Sequence, residues 1–244
     1  MDGEAFKLAQ FLVEKLAKTP RSSRLLVGIS GIPASGKSTF AHLLTADTNE
    51  LLASGAEPVG DTTSRALLIG LDGWHLSRAQ LDQLPDPKLA HDRRGIHWTF
   101  DGPGYVDFVR SLREPLNPDT PIITAPSFDH AMKDPTYDDV TVHPYHRIVI
   151  IEGLYTFLSI APWNEAGLLL DERWHIQIDI DTAQGRLIKR HVVTGVAKDM
   201  AEAVWRAEEN DMPNGRFVIA NTLEPTRIIH NIDDPSLTSR PVSG

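Results

Sequence analysis

Apolar residues along the chain gather in short blocks, and the period within the blocks alternates. Phe6, Ala9, Val13 and Leu16 recur at helical spacing within residues 4–18, with charges between them. That pattern predicts an amphipathic helix packed on the flank of a domain. A membrane-surface or targeting helix is the alternative, disfavoured by mixed charge and few arginines. Thr19-Pro20-Arg21-Ser22-Ser23 breaks the helix. The next run, Leu25-Leu26-Val27-Gly28-Ile29, is continuously apolar, as are Ala66-Leu67-Leu68-Ile69-Gly70-Leu71 and Arg147-Ile148-Val149-Ile150-Ile151 after its first residue. Such runs predict buried parallel strands. Residues 121–125 read as a short strand, 174–181 alternate toward a fourth strong one, and 227–232 make a last strand. Helical patterns fall at about 37–47, around Tyr105, Phe108, Val109 and Leu112 with Thr99 or Asp101 as cap, and at 182–193 and 199–209. Residues 48–65 and 76–100 read as irregular. Strands alternating with helices argue for a parallel sheet covered on both faces.

Composition narrows the classes. With 244 residues the chain can bury a full α/β core and still carry a lid or insertion. The formal net charge of -9 argues against a general binder of nucleic acid or acidic membrane, so any phosphate affinity must be local. Cysteine is absent, which excludes disulfides, thiolate zinc sites and cysteine nucleophiles. No secretory signal or long apolar span is seen, and a cytoplasmic location is the expectation.

The first strand leads directly into Gly31-Ile32-Pro33-Ala34-Ser35-Gly36-Lys37-Ser38-Thr39, the G-x-x-x-x-G-K-S spacing of a phosphate-binding loop. Its glycines let the backbone curl so that several N–H groups face one anion, and the following helix adds its positive end. Gly31, Pro33, Ala34, Ser35, Gly36, Lys37, Ser38 and Thr39 are therefore the candidate nucleotide-binding set. Lys37 can reach the β/γ-phosphates, and the Ser38 hydroxyl can ligate Mg²⁺. Two other strands end in an acid followed by glycine, Asp72-Gly73 and Glu152-Gly153. In a parallel sheet these ends share one edge, so Ser38, Asp72 and Glu152 are candidates to hold Mg²⁺ and to accept a proton.

These residues, with the Asp72-Gly73-Trp74-His75 block, Arg93-Arg94-Gly95 followed by Thr99-Phe100-Asp101, Phe128-Asp129-His130 and Asn210-Asp211-Met212-Pro213-Asn214, carry a family resemblance. The chain resembles the uridine kinase, phosphoribulokinase and pantothenate kinase superfamily of P-loop kinases, in a nucleoside/nucleotide-kinase-like branch of bacteria and fungi. The resemblance implies a three-layer α/β/α P-loop NTPase fold with a mostly parallel five-stranded sheet and a small helical lid. It implies one domain over residues 1–244, an acceptor-binding insertion at about 73–135 and a lid at about 183–215. Asp72 would be the general base or a metal-linked acid, and Glu152 the Walker-B acid. Arg186 and Arg190, at i and i+4, would belong to the lid and stabilise the transferring phosphoryl, or else form a solvated helix face. Asn214 would lie near the nucleotide. Relatives form dimers and tetramers, which allows a homodimer.

Trp74, His75, Arg94, Trp98, Phe128, Asp129 and His130 are candidates to line the acceptor pocket, together with Arg78, Arg93 and Lys133. Aromatics can stack on a flat group, Asp129 and the histidines can bond hydroxyls, and the cations can hold an anionic acceptor. The expected activity is an ATP- and Mg²⁺-dependent kinase acting on a small hydroxylated metabolite. Nucleoside-like acceptors rank first, then sugars or sugar acids, then pantothenate-like compounds. A P-loop ATPase or nucleotide-dependent regulator without a small acceptor is the alternative.

Overall fold

A computed structural model describes residues 2–55, 63–129 and 131–231. Helix α1 (Asp2–Lys18) precedes β1 (Leu25–Gly31), α2 (Lys37–Ser54) and β2 (Arg65–Gly70). A 3₁₀ turn, Leu71–Trp74, leads to α3 (Arg78–Leu81), α4 (Pro87–Asp92), a second 3₁₀ turn His97–Thr99 and α5 (Gly102–Leu112). Then come β3 (Ile123–Asp129), β4 (Asp134–Val142), β5 (His146–Glu152), α6 (Trp163–Leu169) and β6 (Glu172–Gln177). The chain continues through α7 (Ile180–Val193), α8 (Met200–Arg206), α9 (Met212–Ala220) and β7 (Arg227–His230).

Five strands form a parallel sheet in the order β2-β5-β1-β6-β7. Apolar side chains alternate across it. Leu25, Val27, Ile29, Ile148 and Ile150 meet α1 and α2, whereas Leu26, Val149 and Ile151 meet α5, α6 and the aromatic cluster of Trp74, Tyr105, Phe108 and Trp163. Both faces are buried, which is why the strand sequences read as unbroken apolar runs. On the outer strand the Asn49 amide brackets Ala66, accepting from its N–H at 2.8 Å and donating to its carbonyl at 3.0 Å. It occupies a stretch of sheet edge that would otherwise offer free pairing groups.

The three-layer α/β/α arrangement agrees with the sequence reading, and several details differ from it. The buried stripe of α1 is Ala5, Leu8, Ala9, Leu12, Val13 and Leu16, and Phe6 is 43% exposed. Helix α2 runs past Asp47 to Ser54, its stripe continued by Leu44, Thr48 and Leu52. Thr45 and Thr48 return their hydroxyls to the carbonyls of Ala41 and Leu44 instead of breaking the helix. The short strand expected at 121–125 belongs to an antiparallel ribbon of β3 and β4, separate from the main sheet. Residues 76–100 hold two short helices, α6 and α9 were not foreseen, and the fourth strong strand ends at Gln177. Asp179 is the N-cap of α7, accepting from Thr182 N–H. Ile232, expected in the last strand, lies outside the described residues.

Candidate active site

The loop between β1 and α2 has the backbone of an anion cradle. Ala34 and Gly36 both sit in the left-handed region, at φ 58 and 85. Single left-handed residues between right-handed ones turn successive N–H groups toward one point. At Gly31 a Cβ would come within 2.6 Å of Ser35 Oγ and 2.8 Å of the Ile176 carbonyl, so only glycine fits. Gly36 precedes α2 with no side-chain cap, leaving the first-turn N–H groups of that helix for a ligand. Ser35 Oγ is buried without a hydrogen-bond partner. An orphaned hydroxyl and uncapped N–H groups in one concave loop fit a polyphosphate.

The strand register assembles the acids. Glu152 is the last residue of β5 and lies opposite Ile29 on one side and Gly70 on the other. Lys37 Nζ stands 3.9 Å from Glu152 Oε1, and Ser38 also acts on that carboxylate. Burial pushes the Glu152 carboxyl up; Lys37 pulls it down, the charge of Asp72 raises it again, and Ser38 and His42 lower it, with a net upward shift. Asp72 itself is exposed in the 3₁₀ turn after β2. Residues 37, 38, 72 and 152 thus share one sheet edge. Among the described residues no group of three or more His, Asp or Glu side chains is arranged to enclose a metal. One or two carboxylates, a hydroxyl and phosphate oxygens are nevertheless the donor set Mg²⁺ commonly takes, so these residues fit that ion.

Next to Asp72, Gly73 is a point of close approach. A Cβ there would lie 2.1 Å from the Pro126 carbonyl oxygen, so the turn carrying Asp72 abuts the backbone of β3. The ring of His75 packs on Phe100 and Phe128, with centroids 3.9 and 4.8 Å away. Its Nδ1–H donates to the Asp72 carbonyl at 2.8 Å, which fixes the tautomer, because a carbonyl only accepts. Trp98 is 39% exposed and remains available to a ligand.

Three of the expected pocket residues carry structural contacts. Trp74 is buried, its ring 5.4 Å from Tyr105 and 5.0 Å from Phe108, so it belongs to the core. Asp129 accepts from the N–H groups of Ala131 and Met132 and shapes the ribbon turn. Arg94 donates to the Leu76 and Lys133 carbonyls and to Asp134, over the ring of Phe128. It ties three segments together and also lines a cleft beside α4. His130 lies outside the described residues.

Helices α7 and α8, a π turn at Ala207–Asp211 and α9 build the lid. Leu187, Ala207 and Met212 form its small core, and Ala34 of the loop packs against them. Arg186 is half-buried and Arg190 exposed on α7. Asn214 is buried beside Gly215, whose Cα hydrogen side faces Ile32 and Pro33. Between α4 and the lid runs a cleft of about 620 Å³, lined among others by Arg93, Arg94, His191, Trp205, Asn210 and Asp211. His191 Nε2 pairs with Asp211 at 2.9 Å. Tyr155 donates to the Gly95 carbonyl at 2.8 Å, and its raised pKa, due first to burial, also registers the charges of Asp72 and Asp211. Tyr155, Trp205 and Asn231, whose amide reaches the Ser35 carbonyl, are not singled out from sequence. Of these only Tyr155 carries a local signal, three residues beyond Glu152.

No family model matches the chain. The Aspergillus versicolor "ATP-dependent kinase-like protein notR'" is 46% identical over 153 residues, which is 63% of this chain and 89% of that protein. The Schizosaccharomyces pombe "Putative uridine kinase C227.14" is 36% identical over 209 residues, 86% of this chain and 84% of that protein. The crystal structure of YFH7 from Saccharomyces cerevisiae superposes with a TM-score of 0.81 over 94% of this chain and 99% of that one, at 24% identity, a likeness of fold. Among the described residues no helix is long and apolar enough to cross a membrane. With the cradle, the strand-end acids and a relative of this identity over most of both chains, the chain belongs to the P-loop kinases of the uridine kinase, phosphoribulokinase and pantothenate kinase superfamily.

Proposed function

We propose that the chain transfers the γ-phosphoryl group of MgATP to a hydroxyl of a small metabolite held between the β3–β4 ribbon, α4 and the lid. The observation that carries this reading is the meeting of Lys37, Ser38 and Glu152, with Lys37 Nζ 3.9 Å from the Glu152 carboxylate and the charge of Asp72 felt by the same group. Gly31–Thr39 grip the triphosphate through backbone N–H groups. Lys37 neutralises charge at the β/γ-phosphates, and Ser38 and Glu152 hold the metal. Bound Mg²⁺ supplies electrostatic neutralisation of the phosphate oxygens. Asp72 takes the proton of the acceptor hydroxyl as the new P–O bond forms and the β–γ bridge breaks. Arg186 and Arg190 approach the transferring group from the lid. Trp98 and Phe128, able to stack on a flat ring, favour a nucleoside-like acceptor, ahead of a sugar or sugar acid and a pantothenate-like compound, for whose anionic groups the cations around the cleft are suited.

The test is ADP release from MgATP across a panel of nucleosides, sugars, sugar acids and pantothenate-like alcohols. Release that depends on one acceptor, with phosphorylated product seen by mass spectrometry, is the expected result. Turnover that ignores every acceptor would make the chain an ATPase instead.

Mg²⁺ dependence should carry the signature of Glu152. A carboxyl raised by burial gains its proton at higher pH than an ordinary glutamate as pH falls. Since the protonated form binds metal poorly, half-saturating Mg²⁺ should begin to climb on acidification above the ordinary glutamate range, and Glu152→Gln should flatten that climb. A Mg²⁺ requirement that is level down to the usual carboxylate range would count against this assignment.

A further inference from the structure

The sheet delivers one more group to the phosphate loop. Asn231, the first residue after β7, donates its side-chain Nδ2–H to the carbonyl of Ser35, 196 positions away in the chain. Its own backbone N–H donates to Gln177 at 2.8 Å, at the end of β6, so the amide is registered to the sheet and not to a free strand end.

The contact falls on the peptide that precedes Gly36. In a planar trans peptide the C=O and the following N–H point in opposite directions. Rotating the unit between Ser35 and Gly36 would exchange the two and reverse the sign of φ at residue 36. That residue stands at φ 85, and glycine tolerates either sign. Ser35 cannot lock the unit itself, because its Oγ is buried without a partner and its N–H is turned to Ile32 O at 3.1 Å. A donor on the carbonyl from outside the loop prevents the rotation and leaves the Gly36 N–H on the opposite side, toward the cradle.

We propose that Asn231 is a positioning residue for phosphoryl transfer: it locks the Ser35–Gly36 peptide in the orientation that binds phosphate. This rests on the reading of Gly31–Thr39 as the triphosphate cradle. Asn231 need not touch the nucleotide to act.

Calorimetric titration of the full chain with three probes tests it: pyrophosphate, MgATP and adenosine. Losing one such bond should weaken pyrophosphate and MgATP in Asn231→Ala by about five- to tenfold alike, leaving adenosine unchanged. Asn231→Asp, nearly isosteric but without the donor, should lose at least as much while melting like the parent. Unchanged pyrophosphate affinity in both variants would overturn the proposal. So would a loss for adenosine and MgATP that spares pyrophosphate, since the amide would then contact the base. Lys37→Ala runs alongside. If it too leaves pyrophosphate binding intact, the cradle reading falls and the lock with it; if it abolishes binding while Asn231 variants do not, only the lock falls.

Discussion

Replacing Lys37 by alanine should lower kcat/KM for ATP by about 10²–10³-fold, the loss typical of removing one preorganised group that stabilises transition-state charge. Two effects combine. On the proposed reading the ammonium at the β/γ-phosphates disappears, and Glu152 loses the cation 3.9 Å from its carboxylate. Burial then drives the Glu152 carboxyl further up, so the metal site weakens along with the phosphate grip. Steady-state kinetics at saturating acceptor, repeated at several Mg²⁺ concentrations, separates the two: added Mg²⁺ recovers part of the loss and never all of it. Parent-like kinetics in this variant would remove the nucleotide from the loop.

Asp72→Asn should cost about 10²–10⁴-fold in kcat, the range of a general base, with ATP affinity within about twofold of the parent. The substitution is mild for the fold. The turn around residue 72 is held by backbone: the Asp72 carbonyl accepts from His75 Nδ1 and from the His75 N–H, and Gly73 lies on Pro126. The carboxylate itself is exposed. A second readout distinguishes a base from a bystander. Because the Asp72 charge raises the Glu152 carboxyl, its removal should shift the Mg²⁺ dependence to lower pH. Transfer at the parental rate would exclude Asp72 from the chemistry.

What could be read from sequence was what physics writes locally. The phosphate loop needs glycine, lysine and serine at set offsets, and the buried strands need unbroken apolar runs, so β1, β2 and β5 and the acids at the ends of β2 and β5 were visible. The ribbon was half seen because β4, with Asp134, Asp138 and Asp139 among its residues, lacks an apolar face to alternate. Helix α9 was hidden by Pro213 and Gly215, which resemble turn residues; proline at the start of a helix is permitted, and the glycine gives clearance over Ile32. Trp74, Arg94 and Asp129 have side chains suited to a ligand, and only tertiary neighbours reveal that they serve the core, the loop junction and the ribbon turn. The Asn231 contact spans almost the whole chain and leaves no trace in any local window.

The missing methyl at residue 73 has a further outcome. With no room between that peptide and Pro126, the acid-bearing turn and the root of the ribbon touch backbone to backbone, and the expected consequence is a jaw of fixed gape. Descendants of this chain that acquire new acceptors should vary beyond the root, from Phe128 toward Asp134, while the reach from carboxylate to ribbon stays constant. Selectivity would then drift at the tip as the thickness of the molecule gripped is conserved.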